Sequence, residues 1–208
     1  MKVTFALFSL VAAHLVSLQV VEAQKEAEVD EIAPYDIIKT AEGYEERYYP
    51  QARWVCHGKS LDSPSMRKMQ QSFFPLFQYI IGNNVDDAQI PMTAPVTMKM
   101  SQAAEGKWTT QMCFYLPNNY QVGVVPPTPM DAEVYIEDRP AMTVFVRRTG
   151  GFLTRAAQWD YQAEELKKAL KNKEPTADYT TFYMAGYDSP MKFMNRRNEV
   201  WFMKKSAM

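Results

Sequence analysis

The residues able to do chemistry are few. The chain has two histidines, His14 and His57, and two cysteines, Cys56 and Cys113. His57 follows Cys56 directly, which invites a nucleophile–base pair. Arg53 to Gly58 reads as a strand, however, and neighbouring side chains on a strand point to opposite faces. Cys56 and His57 then cannot come within the hydrogen-bond reach that an activated thiolate needs. Two cysteines and one internal histidine also fall short of the four ligands of a structural zinc site. No Gly-rich phosphate loop, Gly-x-Ser-x-Gly turn or His-Glu-x-x-His run is present, and Asp86-Asp87 reads as solvated surface. The inventory points away from catalysis.

Binding chemistry is better represented. There are 14 methionines, Met69, Met98, Met100 and Met194 among them. A thioether fills irregular core space, lines adaptable surfaces and can ligate haem iron. One helix stands out. Ser63 is a candidate N-cap, Pro64 suits a first turn, and Gly82 is a candidate stop. Between them Met66, Met69, Phe73, Leu76, Phe77 and Ile80 recur at helical spacing. Pro75 should bend this helix. At 100° per residue the core face holds Met66, Met69, Phe73, Phe77 and Ile80. The opposite flank holds Arg67, Gln71, Phe74 and Gln78. A large aromatic beside two amides and an arginine suits a flat, amphiphilic ligand.

The elements that position this helix are mostly strands. Tyr35 to Thr40 and Tyr44 to Tyr49 flank Glu42-Gly43, and Arg53 to Gly58 follows Pro50. Met92 to Met100 and Trp108 to Leu116 follow the helix. Ala132 to Glu137 and Met142 to Arg148 form a further pair. A second helix after Gly150-Gly151 carries an apolar seam of Ala156, Trp159, Ala163, Leu166 and Leu170. Tyr179 to Tyr187 and Glu199 to Lys204 close the chain. Each half reads strand, helix, strand, strand. The expected fold is therefore α+β, a curved, distorted barrel-like antiparallel sheet flanked by two helices with an internal pseudo-two-fold repeat.

The N-terminus sets an expected compartment. Lys2, the apolar run Val3 to Val21 and the small residues before Gln24 have the layout of a secretory signal peptide over residues 1–23. Residues 24–33 read as a flexible acidic lead-in, and 34–205 as one domain. The expected product is a secreted, extracellular monomer with no membrane span after cleavage. Cys56 and Cys113 could pair in an oxidising compartment. No Asn-x-Ser/Thr acceptor occurs. The formal charge of −1 offers no field to attract nucleic acid.

Several short motifs carry a resemblance. Pro91-Met92-Thr93-Ala94-Pro95-Val96, Ile136-Glu137-Asp138-Arg139, Thr143-Val144-Phe145-Val146, Gly186-Tyr187-Asp188-Ser189-Pro190-Met191-Lys192 and Arg197-Asn198-Glu199-Val200-Trp201 together resemble the SOUL haem-binding family, from about Tyr35 to Lys204. The resemblance implies non-catalytic binding of haem or iron-free porphyrin in a shallow hydrophobic groove along the first helix. Carried over by position, the groove uses Gln71, Phe74 and Gln78, and Lys192 closes it. Phe74 would stack on the porphyrin, and Lys192 with Arg67 would offset the propionates. Gln71 is neutral where one branch of the family has arginine. Tyr48 stands where another has a histidine proposed as iron ligand, which leaves His57 and Tyr48 as the candidate axial ligands. The alternatives are a protein-interaction module of the same fold and an enzyme that modifies tetrapyrroles.

Overall fold

The computed structural model describes residues 31–205. The expected signal peptide and the first seven residues of the expected lead-in lie outside the described residues. The last three residues of that lead-in already belong to the fold. The Ala33 N–H donates to the Ala94 carbonyl at 2.7 Å, and the Ala94 N–H donates to the Glu31 carbonyl at 2.9 Å.

Nine strands form one antiparallel sheet. They are β1 (Asp36–Ala41), β2 (Tyr44–Tyr49), β3 (Ala52–Leu61), β4 (Val96–Gln102), β5 (Trp108–Tyr115), β6 (Val134–Arg139), β7 (Met142–Thr149), β8 (Ala177–Gly186) and β9 (Asn198–Lys204). Their spatial order is β1-β2-β7-β9-β8-β4-β5-β3-β6. Read outward from the β4–β8 contact, β4-β5-β3-β6 mirrors β8-β9-β7-β2, with β1 added at one edge. In sequence each half carries the expected strand, helix, strand, strand (from β3 to β5 and from β7 to β9), preceded by one further strand, β2 or β6. β2 and β6 each pair with the other half, so neither half is a separate domain. The sheet is curved as expected and open, with β1 and β6 as its ends.

The helices are α1 (Met66–Gln71), α2 (Phe73–Ile80), the short α3 (Asn118–Gln121) and α4 (Ala156–Leu170). Strand alternation divides the core accordingly. On the helix-covered face, Val55, Met112 and Phe114 pack with Leu76, Tyr79 and Ile80 of α2. Phe145, Val200 and Phe202 pack with Trp159, Leu166 and Leu170 of α4. The other face packs on itself. Trp54, Tyr115, Val144, Tyr183 and Trp201 come from strands across the sheet yet form one buried cluster, so the sheet curls around them. Cys56 and Cys113 lie in this cluster and form a disulfide between directly paired positions of β3 and β5. His57 points to the opposite face, as alternation requires, so the Cys-His pairing is excluded by geometry.

A carboxylate sits inside this curl. Glu199 on β9 is fully buried. Its carboxylate accepts from Arg47 Nη1 at 3.0 and 3.1 Å, Arg197 Nε at 2.8 Å, Tyr187 Oη at 2.8 Å and Trp201 Nε1 at 2.8 Å. Burial pushes the Tyr187 phenol well above its ordinary value, and the Glu199 charge adds to the shift, so the hydroxyl stays a donor. Burial pulls the Arg47 guanidinium down, but the charge of Glu199, Tyr49 and the hydrogen bond to Glu45 together outweigh it and raise the group. Glu199→Ala should destabilise the protein by about 3–5 kcal/mol, because two arginines lose their buried partner. Urea unfolding checks this; a loss under about 1 kcal/mol, the level of an exposed pair, would contradict it.

Candidate functional site

The first helix region departs from the expected single helix. Ser65, not Ser63, caps α1, its hydroxyl accepting from the Lys68 N–H at 3.3 Å. The chain breaks at Ser72, three residues before Pro75. Proline has no N–H to give the carbonyl four residues back, and its ring crowds that carbonyl. That residue is Gln71, the last of α1. Leu76, Tyr79 and Ile80 form the buried side of α2, while Phe73 and Phe77, expected in the core, stand on its flank, 37% and 38% exposed. Phe74 is 64% exposed.

The result is an aromatic strip. Phe73 and Phe77, one turn apart, stack at 5.8 Å with 16° between planes. Phe73 also rests on Phe114 of β5 at 5.2 Å, which anchors the strip to the sheet. Arg67 and Gln71 are exposed on α1 and Gln78 is half-buried on α2. Among the described residues their side chains have no hydrogen-bond partner. α1 and α2 contain Arg67 and Lys68 and no acidic residue. The strip is thus apolar, with cationic surroundings.

Lys192 comes from the β8–β9 loop, which presents a second apolar group. Arg196 ties this loop together, donating to the carbonyls of Ser189 at 2.6 Å, Lys192 at 2.7 Å and Asp188 at 3.1 Å. Asp188 accepts from the Arg197 N–H and pairs with Lys192 at 2.7 Å. The loop so held leaves Met191, Phe193 and Met194 exposed. Arg196 also covers the Phe152 ring at 4.3 Å, and Phe152 meets Phe193 at 6.4 Å. Two residues on, the Thr154 carbonyl accepts from Gln70 of α1 at 3.5 Å. The segment from Phe152 to Thr154 therefore links the Lys192 loop to the helix pair. Lys192 reaches an incoming anion only by sharing or leaving Asp188.

The candidate iron ligands lie elsewhere. His57 is fully buried on the helix-covered face, with Nε2 3.4 Å from Glu133 Oε2 and no hydrogen bond to either ring nitrogen. A ligand on an open surface cannot meet that ring unless the core opens. Tyr48 lies on β2, in a depression with Ile38, Thr143, Met203 and Lys204. Four strands separate β2 from β5 in the sheet order, and α2 packs on β3 and β5. The structure therefore groups Arg67, Gln71, Phe74 and Gln78, connects Lys192 to them through Thr154, and leaves Tyr48 and His57 apart. Sequence reasoning placed Phe73 and Phe77 in the core, named Met194 only among the methionines in general, and missed Phe152, Phe193 and the exposed Met191. The run Phe73-Phe74-Pro75-Leu76-Phe77 was the available signal, since one helix face cannot bury three phenylalanines around a proline break.

These residues suit a tetrapyrrole in part. A flat apolar face meets aromatic rings, and carboxylates meet Arg67, Lys68 and Lys192. An axial bond from His57 does not fit. The comparisons agree on kind. A family described as SOUL heme-binding protein matches residues 30–203. Heme-binding protein 2 of Homo sapiens is 37% identical over 177 residues, covering 84% of each chain. Heme-binding protein 1 of Bos taurus is 34% identical over 149 residues, covering 70% of this chain and 75% of the relative. Among solved structures the EcmrR C-terminal domain superposes with a TM-score of 0.52 at 13% identity, covering 83% of this chain and 99% of that one, a likeness of fold alone. Arg196→Ala should release the loop and speed tryptic cleavage after Lys192 while the sheet stays folded. Peptide mapping over time checks this; an unchanged cleavage rate would show that Arg196 does not hold the loop.

Proposed function

Because the chain belongs to the SOUL heme-binding family, we propose that it binds haem or iron-free porphyrin on the aromatic strip of α2 without catalysing a reaction. The observation that carries this reading is the exposed Phe73-Phe74-Phe77 strip on a helix pair that has no acidic residue. The porphyrin face stacks on Phe74, with Phe73 and Phe77 beside it. Arg67 and Lys192 offset the propionates, Lys192 by exchanging its bond to Asp188. Gln71 and Gln78 supply amide hydrogen bonds at the edge. Iron contributes nothing specific in this arrangement, since the one internal histidine is sealed in the core. Haem and its iron-free analogue therefore bind alike.

A carrier or scavenger role outside the cell is the setting we infer, with the protein a monomer and no nucleic acid involved. The signal-like N-terminus supports export. The Cys56–Cys113 disulfide is compatible with an oxidising compartment. An open site without a covalent or axial hold suits a protein that passes its ligand on.

Titration with ferric haem and with protoporphyrin, read by absorbance, tests this. Both should saturate with similar affinity. Phe74→Ala should weaken both by about tenfold, equivalent to ~1.4 kcal/mol, and His57→Ala should leave the haem spectrum of the complex unchanged. Saturation by haem alone, lost in His57→Ala, would instead make that histidine an iron ligand. Failure of both ligands would end the proposal.

A further inference from the structure

A cleft of about 550 Å³ lies on the helix-covered face between α4 and the sheet, and it shares no lining residue with the α2 strip. Trp159 and Phe202 form buried parts of its wall, with Tyr179, Phe182, Met100 and Trp108 around them. Its size and apolar lining are those of a small-molecule site. Three charged side chains line it: Asp160, Glu164 and Lys167, all on α4. Lys167 and Glu164 face each other at 3.5 Å, which leaves their charges mutually offset. Asp160 is different. Among the described residues it has no ion pair and no hydrogen bond. Burial, then the charge of Glu164, raises its carboxyl above the ordinary value, and no cation acts to lower it. The cleft therefore combines aromatic walls with one uncompensated carboxylate at an exposed edge.

That combination selects the sign of a guest. Aromatic faces attract cations through the ring quadrupole. Lys167 already shows this within the cleft, with its ammonium 5.8 Å from the centre of the Tyr179 ring. An apolar anion would meet Asp160 and Glu164 unfavourably, whereas a cation would supply the partner that Asp160 lacks. We propose that this cleft is a second binding site, for a lipophilic organic cation: an apolar chain or ring system that carries a quaternary or protonated amine. Its apolar part lies against Trp159 and Phe202 and its charge lies beside Asp160. This site is separate from the tetrapyrrole surface and does not depend on it.

The test uses decyltrimethylammonium and decanesulfonate, two probes of equal chain length and opposite charge, below their micellar concentrations. Calorimetry gives affinity, and the fluorescence of Trp108 and Trp159, which line the cleft, reports occupancy. The cation should saturate and bind about tenfold or more tightly than the anion. Asp160→Asn, at an exposed position, should remove most of that preference. Ala156→Trp, placed at the cleft's exposed edge, should abolish binding, and Phe74→Ala should leave it intact. Equal or tighter binding of the sulfonate, or an unchanged preference in Asp160→Asn, overturns the proposal. Displacement of the cation by haem would also overturn it, because the cleft would then belong to the tetrapyrrole site.

Discussion

Glu199 holds a negative charge where no water reaches it, and a bare carboxylate in that position would cost several kcal/mol. Four donor groups prevent this, and where they come from explains much of the architecture. Arg47 stands on β2, two strands from β9 in the sheet order. Tyr187 and Arg197 stand at the two ends of the β8–β9 loop, joined by a backbone bond of 3.2 Å. The carboxylate thus fixes the curl of the sheet and the base of that loop together. Both arginines also engage Tyr35: Arg47 lies over its ring at 4.2 Å, and Arg197 Nη2 donates to its hydroxyl at 3.1 Å. The entry of the chain into the fold is therefore docked on the same charge. Above this base, Asp188 and Arg196 continue the polar scaffold and leave Met191, Phe193 and Met194 facing outward.

The apolar side chains on α2 are exposed for a different reason. At 100° per residue the buried Met69, Ser72, Leu76, Tyr79 and Ile80 occupy one arc, and Phe73 and Phe77 fall on its flank. The Tyr79 hydroxyl donates to the Pro127 carbonyl at 2.8 Å, which holds that arc against the core. The order of residues along the helix thus sets a surface property. Exposed aromatic area carries a hydrophobic penalty of about 25 cal/mol per Å², and a flat ligand that covers the strip recovers it.

Sequence legibility followed period and punctuation. The alternation of β3, β5, β7 and β9 was readable because both faces are buried and their residues are bulky. It predicted correctly that Cys56 and His57 would diverge. The repeat was readable because helix and strand order survive where residue identity does not. The exchange of β2 and β6 between the halves was not, since short strands such as Tyr44–Tyr49 carry no signal for a partner a hundred residues away. Nor could spacing show that Ser72 would end α1: a proline announces a disturbance, but its crowding acts on a carbonyl four residues earlier. The β8–β9 loop was legible only as a motif. Its shape depends on Arg196 meeting three carbonyls, a tertiary fact with no periodicity.

The withheld histidine bears on what kind of binding the proposed surface can support. An axial bond would hold iron by coordination and tune its reactivity, and the protein would then have a cofactor. Here the one internal imidazole faces Glu133 and the sheet, on the buried side of β3. Surface stacking and ion pairing hold a porphyrin by one face and its edge, and leave the other face to solvent or to a second protein. Such an arrangement recognises the macrocycle by shape and charge and not by its metal. It also gives the ligand up along the path by which it entered, without a bond to break. The same architecture that keeps His57 out of reach therefore suits the proposed binding without an axial bond.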